Sequence, residues 1–406
     1  MPLLSHCSFV TVSMVISSMM STGSPLDSGN VNNLSQLTSS SQIRPTFEVS
    51  YKAGNISWAS GFRYDANDVF IGRINYGPGA DRTWHTDDDD VTGYGDNTYD
   101  VRGNPTRQAY YSSWSGGSGP DGVWFTGDDV PENYTDNTYY ANGNQIQQVN
   151  YSGWSGGEGP DGIWFTGDDV PNDYTNYTYD ANDKLTRQDY YNNAGRDGTW
   201  FTSDDELNSY KILSYDAGSN QTQQAYYNSA GPDGIWFTAD DGVASYNNYT
   251  YDARGNQTRQ TSYSAAGPDG NWFTSDDVRA NYTDYTYDTN GNQTRQDFYS
   301  SAGPDGTWFS GDDVLHKYTD YSYDANGNQT RQVYNTGKSG GAGDNVPNGY
   351  IDYTYDANGN VIGIKQFNSA GADGIWFTAD DVVSMEWATE DNAIANPEML
   401  YQDKRT

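Results

Sequence analysis

The amino-acid sequence predicts an all-β protein, built as a tandem array of β-hairpin repeats. Three observations support this fold class: a Tyr-Asp pair recurs along the chain, an Asn-Gly dipeptide follows several of its copies, and the 406 residues include 36 Tyr, 12 Trp and 13 Phe. Tyr favours strands with one buried face, and Asn-Gly between two strands is a strong hairpin signal. Only 34% of the residues are hydrophobic, so aromatic rings must supply most of the core.

Two markers define the repeat. The Tyr-Asp pairs give nine units, which begin at Tyr64, Tyr99, Tyr179, Tyr215, Tyr251, Tyr287, Tyr323 and Tyr355, with Tyr139-Tyr140 as a variant. The second marker is Asp-Gly-x-Trp-Phe-Thr-x-Asp-Asp, whose tryptophans are Trp124, Trp164, Trp200, Trp236, Trp272, Trp308 and Trp376, with Trp84 as a degenerate first copy. Up to Trp308 these tryptophans are 36 or 40 residues apart, and the unit at 340–349 has lost the motif. The longer spacing comes from residues such as 110–122, where a tolerated insertion predicts a surface loop.

Residues 282–299 show how one unit is expected to pair. We predict a type I′ turn at Asn290-Gly291, because that turn needs a positive φ at both central positions. The resulting pairs are Tyr287 with Thr294, Tyr285 with Gln296, and Thr283 with Phe298. The other face would carry Arg295 beside Asp284 and Asp297, together with Thr286, Tyr282 and Tyr299. We describe the first face as aromatic and the second as charged.

Arginine recurs at the position of Arg295, which would align a row of arginines beside a row of aspartates. The recurring residues are Arg107, Arg187, Arg259 and Arg331. We expect this row to be a solvated face of weak ion pairs. A binding face is the alternative.

The chain divides into three parts on this interpretation. Residues 1–50 form a leader with a candidate signal segment and a linker, residues 51–383 form the β-repeat array, and residues 384–406 form a tail. The apolar stretch from Cys7 to Met20 resembles the core of a signal peptide, which predicts export. Within the tail, residues 384–401 are the one segment of the chain whose pattern would accommodate a helix.

Charge and cysteine content restrict the function classes. The net charge of −34 would repel nucleic acid phosphates and anionic lipid surfaces. Cys7 is the single cysteine, which excludes an intramolecular disulfide framework and a cysteine-based zinc site. No segment predicts membrane insertion.

The sequence YDANGNQTRQ at 323–332, with YDARGNQTRQ and YDTNGNQTRQ elsewhere, closely resembles the YD repeat of the RHS family. The resemblance covers about four-fifths of the chain. It implies a bacterial secreted or cell-surface protein whose hairpins form a spiral sheet, in some members around a C-terminal toxin. The autoproteolytic motif and toxin domain of that family are missing after Val383, and nine units look too few to close a shell. We therefore expect an open curved sheet or a β-solenoid.

The second marker is the one place where carboxylates cluster reproducibly. Calcium binds six to eight oxygen ligands, which an acidic glycine-rich loop could supply. The candidate calcium ligands are Asp121, Asp128, Asp129, Asp161, Asp168, Asp169, Asp233, Asp240, Asp241, Asp269, Asp276, Asp277, Asp305, Asp312, Asp313, Asp373, Asp380 and Asp381. The alternative is a turn whose amides are capped by these aspartates.

The sequence gives little support for an enzyme. The three histidines, at His6, His85 and His316, do not recur in the repeat, and the adjacent aspartates would point to opposite faces of a strand. Exposed aromatic rings could stack on sugars, although packing between hairpins is the simpler role for them. We therefore expect a non-enzymatic scaffold, structural or adhesive, with an unknown surface partner or a glycan as ligand. The alternatives are a shell segment of a toxin-delivery protein and a glycan-binding repeat protein.

Overall fold

A computed structural model describes residues 45–52, 55–65, 69–80, 82, 90–153, 157–337 and 347–389. These residues form 20 β-strands and one short 3-10 helix, Ser113–Ser115. The strands are β1 Pro45–Lys52, β2 Asn55–Tyr64, β3 Phe70–Gly77, β4 Asp90–Tyr99, β5 Pro105–Ser112, β6 Pro131–Tyr139, β7 Gln145–Ser152, β8 Asp173–Tyr179, β9 Leu185–Asn193, β10 Glu206–Tyr215, β11 Gln221–Ser229, β12 Gly242–Tyr251, β13 Gln257–Ala265, β14 Val278–Tyr287, β15 Gln293–Ser301, β16 Val314–Tyr323, β17 Gln329–Thr336, β18 Pro347–Tyr355, β19 Val361–Ser369 and β20 Val382–Thr389.

Each strand pairs antiparallel with the next strand in the chain, which confirms the predicted all-β hairpin array. The two ends of the array meet as well, because β1 also pairs with β20, from Pro45 with Thr389 to Ser50 with Met385. Every described strand therefore has two hydrogen-bonded neighbours. This last pairing was not expected, because nine units looked too few to bring the ends together.

Some sequence-based boundaries differ from the observed strands. The first strand begins at Pro45, and β20 occupies residues 382–389, so the helix considered for 384–401 is wrong for its first residues. The candidate signal segment from Cys7 to Met20, the Trp84 copy and residues 340–346 of the decayed unit lie outside the described residues. Within the described ranges no helix has the length and apolar character needed to cross a membrane.

The hairpin between β14 and β15 has most of the predicted register but a different turn. Thr283 pairs with Phe298 and Tyr285 with Gln296, as predicted, whereas Tyr287 pairs with Gln293 across a bulge. The backbone of the turn also differs from the prediction. Gly291 has a positive φ of 90°, whereas Asn290 does not have a positive φ. The predicted type I′ turn is therefore wrong.

The aspartate of the Tyr-Asp pair explains the observed turn. The Gly291 amide donates to the Asp288 carbonyl at 3.1 Å, as in a type I turn that is followed by a glycine bulge. The Asp288 carboxylate accepts the backbone amides of Asn290 and Asn292, each at 2.8 Å. Asp288 thus caps a longer turn, and the two-residue alternative would leave these contacts unmade.

The tyrosine of the pair connects each hairpin to the preceding one. The Tyr287 hydroxyl donates to the Gln257 carbonyl at 2.9 Å, and the Tyr323 hydroxyl donates to the Gln293 carbonyl at 2.8 Å. The same contact is made by Tyr99, Tyr139, Tyr215, Tyr251 and Tyr355. The Tyr-Asp signature is therefore a structural element, in which one residue joins units and the other closes a turn.

We expect Gly291→Val to destabilise the protein by about 1–2 kcal/mol, because a side chain with a Cβ resists a positive φ. No atom lies within 4 Å of the position that a Cβ would take, so the cost is conformational and not steric. Urea unfolding measures it. Gly291→Asn is the control and should cost less, since Asp183 and Ser219 occupy equivalent turn positions at φ 62° and 70°. Equal stability of Gly291→Val and the parent would contradict this account of the turn.

Alkaline pH should unfold the array cooperatively. Burial raises the pKa of Tyr139, Tyr179, Tyr251, Tyr287 and Tyr323 to about 12, from an ordinary value of 10.0. The unfolded chain releases these protons first, so stability is lost as the pH rises from about 10 towards 12. Tyrosinate absorbance and circular dichroism should change together over this range. Ionisation near the ordinary pKa with an unchanged β-sheet spectrum would contradict the prediction.

Candidate functional site

The second marker folds into a loop whose backbone is held by its own aspartates. In residues 305–313 the Thr307 amide donates to Asp305 Oδ1 at 2.6 Å, and the Asp305 amide donates to Asp312 Oδ2 at 3.0 Å. The Phe309 amide donates to Asp313 Oδ2 at 2.7 Å, and Phe309 itself has a φ of 70°. Each of the three aspartates therefore has a partner within the loop.

The last aspartate of the loop also reaches the sheet. The Tyr282 hydroxyl donates to Asp313 Oδ2 at 2.6 Å, and Tyr282 is only 3% exposed. Burial first, and then this hydrogen bond, raises the pKa of Tyr282. The same contact joins Tyr94 to Asp129, Tyr134 to Asp169, Tyr174 to Asp205, Tyr210 to Asp241, Tyr246 to Asp277 and Tyr350 to Asp381, at 2.5–2.7 Å.

Aromatic rings surround each of these buried tyrosines. Tyr282 stacks on Tyr299 with ring centroids 4.4 Å apart, and Trp308 and Phe309 contact it at 5.9 and 4.9 Å. Trp308 thus packs against the hairpin, as the simpler interpretation of the tryptophans predicts. Phe309 stays 42% exposed, so each loop also presents an aromatic surface.

An arginine covers this aromatic cluster. The Arg259 guanidinium donates to both carboxylate oxygens of Asp284, at 2.5 and 2.7 Å. Its Cζ lies 4.8 Å from the ring centroid of Tyr282 and 4.2 Å from that of Phe309. The arginine row therefore shares its face with the most buried tyrosines. The predicted pairing of Tyr282 with Tyr299 is confirmed, whereas the description of one face as aromatic and the other as charged is wrong. We call this shared surface the loop face.

Two units carry an amide pair where Arg107, Arg259, Arg295 and Arg331 each face an aspartate. Gln147 donates to Asn176 at 3.0 Å, and Gln223 donates to Asn248 at 3.1 Å, in the cross-strand positions that Arg259 occupies opposite Asp284. Both members of the pair change together, so the contact is kept. This paired change was visible in the sequence as a difference between units, and it would have identified the cross-strand partners.

One loop was left out of the predicted site. Asp197, Asp204 and Asp205 make the contacts of the other loops, with the Asp197 amide on Asp204 Oδ2 at 3.1 Å and the Phe201 amide on Asp205 Oδ2 at 2.8 Å. These three aspartates belong to the copy of the second marker around Trp200, and this marker would have identified them as candidate ligands.

The structure brings each set of predicted calcium ligands together within its own loop, but as acceptors for amides and hydroxyls. In the part of the chain that the structure describes, no group of three or more acidic, histidine or cysteine residues is arranged to hold a metal ion. Hydrogen bonding thus accounts for the aspartates without a cation, and calcium binding stays a prediction. Of the histidines, His316 lies at the edge of the Phe298 ring, whereas His6 and His85 fall outside the described residues.

No protein-family model and no curated protein matches the chain. Among solved structures, one of TcdB2-TccC3-Cdc42 matches 84% of this chain, with 12% identity and a TM-score of 0.32, and this chain spans 16% of its length. A porin-like protein from Bacteroides uniformis matches 84% of this chain and 94% of its own, with 10% identity and a TM-score of 0.31. A protein of unknown function from Bacteroides fragilis matches 34% of this chain and 91% of its own, with 16% identity and a TM-score of 0.26. These scores do not establish a family for the chain.

Exchanging one charged pair for the amide pair should show that the two members are coupled. Arg259→Gln and Asp284→Asn should each destabilise the protein by about 1 kcal/mol, since both side chains are about 30% exposed and the pair is partly screened. The double variant should recover much of this loss, because Gln147 and Asn176 form the same contact. Urea unfolding of the four proteins measures the coupling. Strictly additive losses would contradict it.

The calcium hypothesis predicts a melting temperature that rises with calcium and less with magnesium, because a bound ion stabilises the native state. Asp→Asn changes at Asp305 and Asp312, repeated in several loops, should remove this response while leaving the Tyr282–Asp313 contact intact. The substitutions also remove loop hydrogen bonds, so they will lower the melting temperature by themselves. The deciding measurement is therefore the change in melting temperature between calcium and chelator for each protein. A melting temperature that is the same in calcium and in chelator would contradict the hypothesis.

Proposed function

We propose that this protein is a non-enzymatic repeat scaffold that is secreted or held at the cell surface and acts through the loop face. The proposal rests on the contacts that the recurring side chains make within the chain. The tyrosine and aspartate of the Tyr-Asp pair, and the aspartates of the loop, are engaged in contacts within the chain.

Chemistry at an active site needs side chains that are free to meet a substrate, whereas these recurring side chains build the array. What the units offer to the outside is a repeated surface of half-exposed phenylalanines, arginines and exposed loop backbone. Such a surface suits a structural or adhesive role. The net charge of −34 keeps an aromatic surface of this kind soluble and disfavours nucleic acid and anionic membranes as partners.

Export is the part of the proposal that can be tested directly. The protein should appear in the medium of the cells that produce it, or be cleaved by protease added to intact cells. Val15→Asp together with Ile16→Asp interrupts the apolar stretch and should retain the protein inside. A matched control, Ser39→Asp with Ser40→Asp, adds the same charge outside that stretch and should be exported normally. Recovery of the parent only from the cytoplasm would contradict the proposal.

The alternative, a shell segment of a toxin-delivery protein, differs in the size of the native polypeptide. An antibody against the array, used on the producing cells, should detect a chain of at most about 45 kDa for a scaffold, since the mass is 44.9 kDa before any leader is removed. A larger polypeptide that carries a toxin segment would favour the alternative.

A further inference from the structure

One groove on the loop face differs from the equivalent places in the other units. It lies between the loop of Phe201 and the loop of Trp236, and its volume is about 690 Å³, within the range of sites that hold small ligands. Aromatic rings line it at Tyr174, Tyr191, Phe201, Trp236 and Phe237, and the amides of Gln147 and Asn176 lie among them. We call it the Phe201 groove.

In five other units the chain places its own guanidinium over the loop phenylalanine. The Cζ-to-centroid distances are 5.0 Å for Arg63 on Phe125, 4.6 Å for Arg107 on Phe165, 4.2 Å for Arg187 on Phe237, 4.2 Å for Arg259 on Phe309 and 4.8 Å for Arg331 on Phe377. At Phe201 the arginine is replaced by Gln147, whose amide turns to Asn176. Phe201 is 51% exposed, compared with 38–46% for the five phenylalanines that lie under a guanidinium.

In the second unit with a glutamine, whose loop phenylalanine is Phe273, a guanidinium lies over the rings on the other side of the equivalent groove. There Arg279, which stands two units after Leu207 in the repeat, places its Cζ 5.4 Å from the ring centroids of both Tyr263 and Phe309. Leu207 occupies the corresponding position in the Phe201 groove. At these two positions the Phe201 groove has Gln147 and Leu207 in place of arginine, and the guanidinium next to it is that of Arg187, which lies over Phe237.

We propose that the Phe201 groove binds the guanidinium group of an arginine side chain on a partner protein. This rests on the proposed function as a surface scaffold, and it names the chemistry that the surface recognises. In the neighbouring units the equivalent phenylalanine ring lies under a guanidinium, and aromatic ring faces attract cations. The lining contains Asp205 and Glu206 but no lysine or arginine, and the net charge of −34 draws cations towards the protein.

A cross-strand aspartate is not required for this placement. Arg187 faces Ile212 across the strands, yet its guanidinium lies over Phe237 at 4.2 Å and pairs with Asp189 of its own strand. Asn176, in the place of the usual aspartate, therefore does not exclude a guanidinium from the Phe201 groove.

The test uses the full chain and two labelled peptides, one with arginines separated by glycines and one with citrulline in place of each arginine. Citrulline keeps the shape of arginine but carries no charge. Fluorescence anisotropy should show binding of the arginine peptide that is about tenfold tighter than that of the citrulline peptide. The double variant Gln147→Arg with Asn176→Asp restores the pair of the other units without changing the net charge. It should fold like the parent and weaken arginine-peptide binding about tenfold, because its own guanidinium fills the place.

The matched control is Gln223→Arg with Asn248→Asp, which makes the same exchange in the unit that already holds Arg279, and it should bind like the parent. Equal binding by all three proteins would overturn the proposal in favour of diffuse charge attraction, and so would the absence of binding by the folded parent. A neutral oligosaccharide that binds the parent and not the Gln147→Arg, Asn176→Asp variant would instead make the groove a glycan site. None of these results depends on export. The scaffold proposal is tested separately by the export experiment, so the two proposals can fail independently.

Discussion

The hydrogen bond between a buried tyrosine hydroxyl and the last aspartate of a loop is the contact on which the rest of each unit depends. Tyr282 lies in β14, and Asp313 ends the loop that follows β15, so one bond fastens the loop to the hairpin that precedes it. The same carboxylate oxygen accepts the Phe309 amide, which holds Phe309 at its positive φ. Without Asp313 the loop would lose its anchor and the backbone shape that presents the phenylalanine.

A charged arginine side chain lies over the aromatic rings that this hydrogen bond holds in place. An arginine from the preceding hairpin lies across the tyrosine and phenylalanine rings while its guanidinium stays bonded to an aspartate. Charge and aromatic burial thus occupy one face, and the exposed part of each phenylalanine becomes the variable surface of the unit. Replacing one arginine by glutamine changes that surface, while the residue keeps the same cross-strand partner position.

Repetition made the fold predictable, and local geometry limited what the sequence could tell about the site. Alternation and the spacing of the markers were enough to place the strands and the Thr283–Phe298 register. The turn at Asp288 was missed because the carboxylate contacts of that residue outweigh the preference of Asn-Gly for a two-residue turn. The loop aspartates were located correctly as a cluster, but their spacing does not distinguish a carboxylate that accepts amides from one that binds a cation. The position of Arg259 over Phe309 depends on a loop meeting strand β13 of the preceding hairpin, which alternation within a single hairpin does not encode.

The separation between contacting residues bears on how the chain reaches this state. Tyr282 and Asp313 are 31 residues apart, and Tyr287 and Gln257 are 30 apart, so most of the fastening contacts close short segments. Units can therefore form locally and extend the array by adding neighbours, as in other repeat proteins. The pairing of β1 with β20 joins Ser50 to Met385, and the entropy of closing so long a segment of unfolded chain makes it a late event. Folding would thus begin at any hairpin and end where the two termini of the array meet.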